Sequence, residues 1–193
     1  PEKAAPPVEE EPKKAPAPKE DKARSLVEDL TESQEGDQEP KLEQFLTSEP
    51  NLQMVAFYLG DQEFVVPTIL VNEVIRYTEP AKLPVAPPFV AGVINLRGKV
   101  TPLVHLRDIL EVTGPRRTED RFIIVCRYAG LQVGLIIETV STMYRVPQAS
   151  IDWGIEAHLG ISADYVSGLL KQNDKLLEIV SVDRIVNNLV KEL

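Results

Sequence analysis

From residue 52 to the C-terminus the sequence predicts an all-β fold with minor helix: two similar small β-barrels followed by a C-terminal helix. Three observations predict it. Short runs rich in Val, Ile, Tyr and Phe alternate with Gly, Asp, Asn or Pro punctuation, as in MVAFYL, GD and EFVV, or GVINL, RGK and VTPLVHL. The chain overlays itself at two fixed offsets. Helical periodicity is clear only near the end, where Ile185, Val186, Leu189, Val190 and Leu193 fall on one face behind Asp183, a candidate N-cap.

The first 51 residues read differently. They carry eight of the 16 prolines, with 14 acidic and 7 basic side chains, and so hold −7 of the chain's net −9. The opening stretch PEKAAPPVEEEPKKAPAPKEDKAR has almost no large apolar side chains, so ordering it would cost backbone entropy without burying a core. Residues 1–51 are therefore expected to form a disordered acidic leader, and 52–193 the folded domain. Within the leader, Leu26, Val27 and Leu30, then Leu42, Phe45 and Leu46, could each share the face of a short helix. These would be transient helices or a turn packing against the domain edge, or else a linear docking motif for another protein.

The strand-rich part then repeats itself. At an offset of 69, residues 54–78 overlay 123–147 without a gap, setting Phe64 on Val133, Val66 on Leu135, Val71 on Val140 and Arg76 on Arg145. At an offset of 76, residues 92–110 overlay 168–186, setting Gly92 on Gly168, Lys99 on Lys175 and Val104 on Val180. The first match is a hairpin with a following apolar segment; the second is strand, turn, strand and helix start, with a short turn of helix expected over Arg107–Val112. A duplication of this kind implies two barrels, each closing its own sheet edges.

Composition narrows the function. With 16 acidic and 14 basic residues after residue 51 and no clustered basic stripe, the domain has no footprint for nucleic acid. Cys126 is the single cysteine, which fits a reducing, cytoplasmic compartment. No apolar run approaches the roughly 20 residues that span a bilayer, so no direct membrane insertion is expected. The chain begins at Pro1 rather than Met, which leaves a longer parent protein open.

Catalytic parts do not converge. His105 sits in the strand VTPLVHL, where a half-buried or edge histidine is expected. His158 lies in a loop near Asp152 and Glu156, with no Ser or Cys nucleophile tied to it. GVINLRGKV has one residue too many between its glycines for a phosphate-binding loop, ends in Val100 where Ser or Thr is required, and joins two strands. Cys126, inside FIIVCRY, reads as core. No catalytic, cofactor or metal site is expected.

A binding site is expected instead, because the duplication supplies an internal control. A residue that the barrel itself requires should have a similar counterpart. Glu73 overlays Thr142 and Arg97 overlays Asn173, so these two charges belong to one copy alone. Either they are solvated turn charges, or Arg97 offers planar donors and Glu73 an acceptor to a partner, beside apolar Val71 and Leu96.

From about residue 53 onward the chain resembles the CheW-like adaptors of bacterial chemotaxis. The resemblance rests on FYLGDQEFVV, ILVNEVIR, GVINLRGKVTPLVHLR, VGLIIETVS and DYVSGLLKQNDKLLEIVSVDRIV. It implies two five-stranded SH3-like β-barrels in tandem and a non-catalytic scaffold, without cofactor, that couples chemoreceptor signalling domains to the regulatory domain of the histidine kinase CheA in cytoplasmic, often polar, arrays. By the same resemblance Val71, Glu73, Asn95, Leu96 and Arg97 match a receptor-contacting region, and Met143 a position tied to receptor coupling. The alternative is a specialised member serving polar localisation, another signalling or motility system, or a larger protein. Two departures stand out: His105 replaces the usual aspartate of P-x-x-D-L-R, and the acidic leader is atypical.

Overall fold

The computed structural model describes residues 39–116, 118–119, 121–153 and 164–192. Helix α1 (Glu39–Ser48) precedes β1 (Asn51–Leu59), β2 (Gln62–Pro67), β3 (Val71–Arg76), β4 (Val90–Leu96) and β5 (Lys99–His105). One turn of helix, α2 (Leu106–Ile109), leads to β6 (Phe122–Tyr128), β7 (Leu131–Ile137), β8 (Thr139–Pro147), β9 (Ile151–Trp153), β10 (Val166–Gln172), β11 (Lys175–Val180) and helix α3 (Val182–Glu192).

The strands form two sheets, ordered β8-β1-β2-β11-β10-β9 and β3-β6-β7-β5-β4. The duplication is present in both, yet neither barrel is one copy. Hairpin β1–β2 of the first copy joins β8–β11 of the second to make barrel I, and hairpin β6–β7 of the second joins β3–β5 of the first to make barrel II. The strand pairs that join the copies include β2 with β11 and β5 with β7, both parallel. Each copy therefore lends its first hairpin to the other.

Both seams are closed in the same way. In barrel I, β8 passes through a 3-10 turn at Gln148–Ser150 into β9, which pairs with β10, so one five-strand circuit returns on itself. In barrel II, Ala81, beyond β3, exchanges two 2.9 Å backbone hydrogen bonds with Val93 of β4. Gly92 beside this bridge has φ +143, and a Cβ there would collide with the carbonyl of Ala81. Its counterpart Gly168 faces Asp152 O across the other seam, 2.9 Å from where a Cβ would lie. Glycine is needed at both because two backbones meet there.

The two hairpins are buried on both faces, which explains their near-continuous apolar sequence. Met54, Ala56 and Val65 point into barrel I, while Val55, Phe57, Leu59, Phe64 and Val66 point into a central core between the barrels. Ile123, Val125 and Ile136 fill barrel II, and Ile124, Cys126, Val133, Leu135 and Ile137 face the same central core. Ile185, Val186 and Leu189 of α3 close over it.

Three local expectations change. The leader was drawn through residue 51, but α1 is a helix inside that range: Leu46 buries in the barrel I cluster and Leu42 packs beside it, while Phe45 lies off that face. Gln148 secures α1 by donating from Nε2 to Thr47 O at 3.0 Å. The remainder of the leader, 1–38, lies outside the described residues. Helix α3 starts one residue ahead of Asp183, which sits in its first turn and accepts from Ser181 Oγ at 2.6 Å, where a carboxylate favours the helix dipole. Helix α2 is shorter than Arg107–Val112, because Glu111 takes a positive φ of 50 just past its end.

Candidate partner-binding site

The β4–β5 connection is a two-residue turn, Arg97-Gly98, with φ of 52 and 82. Positive φ at both central positions is the hairpin geometry that follows the natural twist of strands, and it favours Asn or Gly. The second copy obeys that preference, with Asn173 (φ 47) and Asp174 (φ 62). The first copy places arginine there, where a left-handed backbone costs an ordinary side chain about 1 kcal/mol. Asn95 braces the turn, its Oδ1 accepting from Gly98 N at 2.9 Å.

Glu73 is presented by a bulge in β3. Val71 pairs with Cys126 and Glu73 with Val125, leaving Asn72 as the extra residue. The other copy repeats the irregularity on β8 between Val140, opposite Phe57, and Met143, opposite Val55. Arg97 Nη2 donates to Glu73 Oε2 at 2.9 Å across the mouth of barrel II. With the arginine side chain 79% exposed, this pair contributes little to stability.

Glu73, Leu96 and Arg97 thus share one open groove, which Asn72, Lys99 and Gln132 also line. Leu96 turns partly inward against the barrel II cluster. On the groove floor Asn72 Nδ2 donates to Gln132 Oε1 at 3.5 Å, and Gln132 Nε2 to Thr101 Oγ1 at 2.8 Å. Among the other expected residues, Asn95 supports the turn and Val71 is half-buried against the central core. Met143 does not join them: it is 60% exposed on β8 of barrel I. Sequence reasoning missed Asn72, Lys99 and Gln132. The offset of 69 carried a signal, since it sets Gln132 on a glutamate, Glu63.

That glutamate organises the corresponding end of barrel I. Glu63 is buried and accepts from Ser141 Oγ at 3.0 Å, Tyr144 OH at 3.1 Å and Lys175 Nζ at 3.4 Å. Burial pushes its pKa up, but the hydrogen bonds from Ser141, Tyr144, Lys175 and Tyr58 outweigh it and leave the carboxyl below its ordinary value. The same burial and Glu63's charge push the Tyr144 hydroxyl up.

The side chains considered for catalysis sit elsewhere. Cys126 is fully buried, its thiol pushed up to about 12 by burial, so it has no thiolate to offer near neutrality. His105 ends β5, half-buried, and its backbone N–H bonds Phe89 O. His158 lies outside the described residues. No group of His, Cys, Asp and Glu among the described residues is arranged to hold a metal, and no described helix is long and apolar enough to cross a membrane.

Comparison with known proteins gives a consistent result. The family model of the CheW-like domain matches residues 53–190, both barrels and most of α3. The chemotaxis protein CheW of Helicobacter pylori is 30% identical over 139 residues, 72% of this chain and 84% of that protein. The chemotaxis protein CheW of Rhizobium meliloti is 31% identical over 133 residues, 69% of this chain and 86% of that one. The crystal structure of the scaffolding protein TtCheW from Thermoanaerobacter tengcongensis superposes with a TM-score of 0.61 at 27% identity, covering 67% of this chain and 88% of that one.

Proposed function

The chain belongs to the CheW-like domain family, and from that premise we propose that it is a non-catalytic adaptor of a chemotaxis array, binding a chemoreceptor signalling domain and the regulatory domain of the histidine kinase CheA. The family match across the whole double barrel carries this reading. The groove at the mouth of barrel II adds to it. Arg97 is held in a strained turn, where the other copy uses asparagine, and its charge faces solvent. Strain kept at an exposed charge points to use by a partner. Glu73, Leu96 and Arg97 form the contact, Asn95 and Val71 shape it from behind, and Met143 makes a separate contact on barrel I. The protein would work in the cytoplasm, at membrane-associated, often polar, receptor arrays.

A second reading is a specialised member that serves polar localisation or another motility system. It is favoured by α1, which lies outside the family match and packs on barrel I. Affinity capture of the full chain from its own cells separates the two. Recovery of both a receptor and CheA is the result expected; recovery of polar-landmark or motility proteins without either would transfer support to the second reading.

A further inference from the structure

The duplication shows what the groove of barrel II lacks. In barrel I, Lys175 meets the buried carboxylate of Glu63 at 3.4 Å. Barrel II has the same lysine at the same place in its own hairpin, Lys99, but the position of Glu63 is taken by Gln132. Gln132 is neutral, and its amide is committed to Thr101 and Asn72. Lys99 is exposed and has no carboxylate partner among the described residues. Glu73, the one carboxylate among the described residues lining the groove, is already engaged by Arg97. Arg97 and Glu73 offset each other, so among the described residues lining the groove Lys99 is the cation left without a counter-charge, in a chain that is otherwise net acidic.

We propose that this groove takes an Asp or Glu side chain of the partner protein, seated on Lys99 and Arg97, so that the partner supplies from outside the carboxylate that Glu63 supplies within barrel I. The proposal rests on the partner-binding reading of the groove and adds its chemistry: an acidic side chain on the docking segment, with Lys99 as the residue that selects it. A lysine–carboxylate contact between complementary surfaces adds specificity and association rate more than raw affinity. Lys99 closes the turn through its backbone, opposite Leu96, but its exposed side chain belongs to no core cluster, so the role of that side chain is separable from folding.

The test supplies the carboxylate in cis. Gln132→Glu places an acid where Glu63 lies in the other barrel, next to Lys99. Its binding to a receptor signalling-tip fragment, titrated by calorimetry at two salt concentrations, should fall about tenfold or more while its melting temperature holds. Lys99→Met, an exposed change that keeps the testing possible should Gln132→Glu fold poorly, should show a similar loss and a flatter salt dependence. Replacing the fragment's acids one at a time by amides should then find one whose loss is not compounded by Lys99→Met. A folded Gln132→Glu protein that binds like wild type, while Arg97→Ala binds weakly, would overturn the acid-acceptor role and leave the site standing. Wild-type binding by all three variants would overturn the partner-binding reading with it.

Discussion

Arg97 and Glu63 hold their charges in opposite settings, one exposed on a hairpin turn and one buried in a barrel. Arg97 occupies a backbone conformation that suits asparagine, and Asn173 occupies the same conformation in the other copy. Arg97→Asn should therefore unfold no more easily than wild type and gain up to about 1 kcal/mol, while losing partner affinity; chemical denaturation beside a binding titration checks both halves. Glu63 has the opposite character, being buried and fully engaged. Glu63→Gln should cost about 1–3 kcal/mol at pH 7. Because the folded pKa of Glu63 lies below its ordinary value, the stability it contributes is complete above about pH 4.3 and is lost as pH falls through the folded value. The gap between wild type and Glu63→Gln should thus close on acidification, and a gap that widened instead would contradict the assigned shift. The asymmetry at 73 and 97 was legible from the repeat. The pairing of Lys175 with Glu63 was not, because Glu63 reads as one more exposed strand charge until Ser141, Tyr144 and Lys175 are brought around it.

Among the elements, the hairpins and their turns were the most legible, since apolar runs interrupted by GD, RGK and NDK leave little choice of strand ends. The seams were not. Nothing local distinguishes Ala81, in a proline-rich connection, as the residue that closes barrel II against Val93. Gly92 tests that closure. Its φ of +143 and the approach of Ala81 O leave no room for a side chain, so Gly92→Ala should cost about 2 kcal/mol or more and lower the melting temperature accordingly. Helix α1 was legible only as three spaced apolar residues, because its stability comes from docking Leu42 and Leu46 on barrel I rather than from its own sequence.

At the scale of the whole molecule, the two offsets revealed two copies but not how they interlock. A repeat is visible in one dimension. The exchange of first hairpins depends on strand order, which is set by the central core that both hairpins share. That exchange leaves neither barrel able to form without strands of the other copy. We propose above all that the Arg97–Glu73 pair serves binding and not folding. The direct measurement is thermal unfolding of Arg97→Ala and Glu73→Ala beside titration with a receptor signalling-tip fragment and, separately, the kinase regulatory domain. Stability should change by no more than about 1 kcal/mol while receptor affinity falls by roughly 2 kcal/mol, about thirtyfold. Unchanged receptor binding with a collapsed melting temperature would contradict the account.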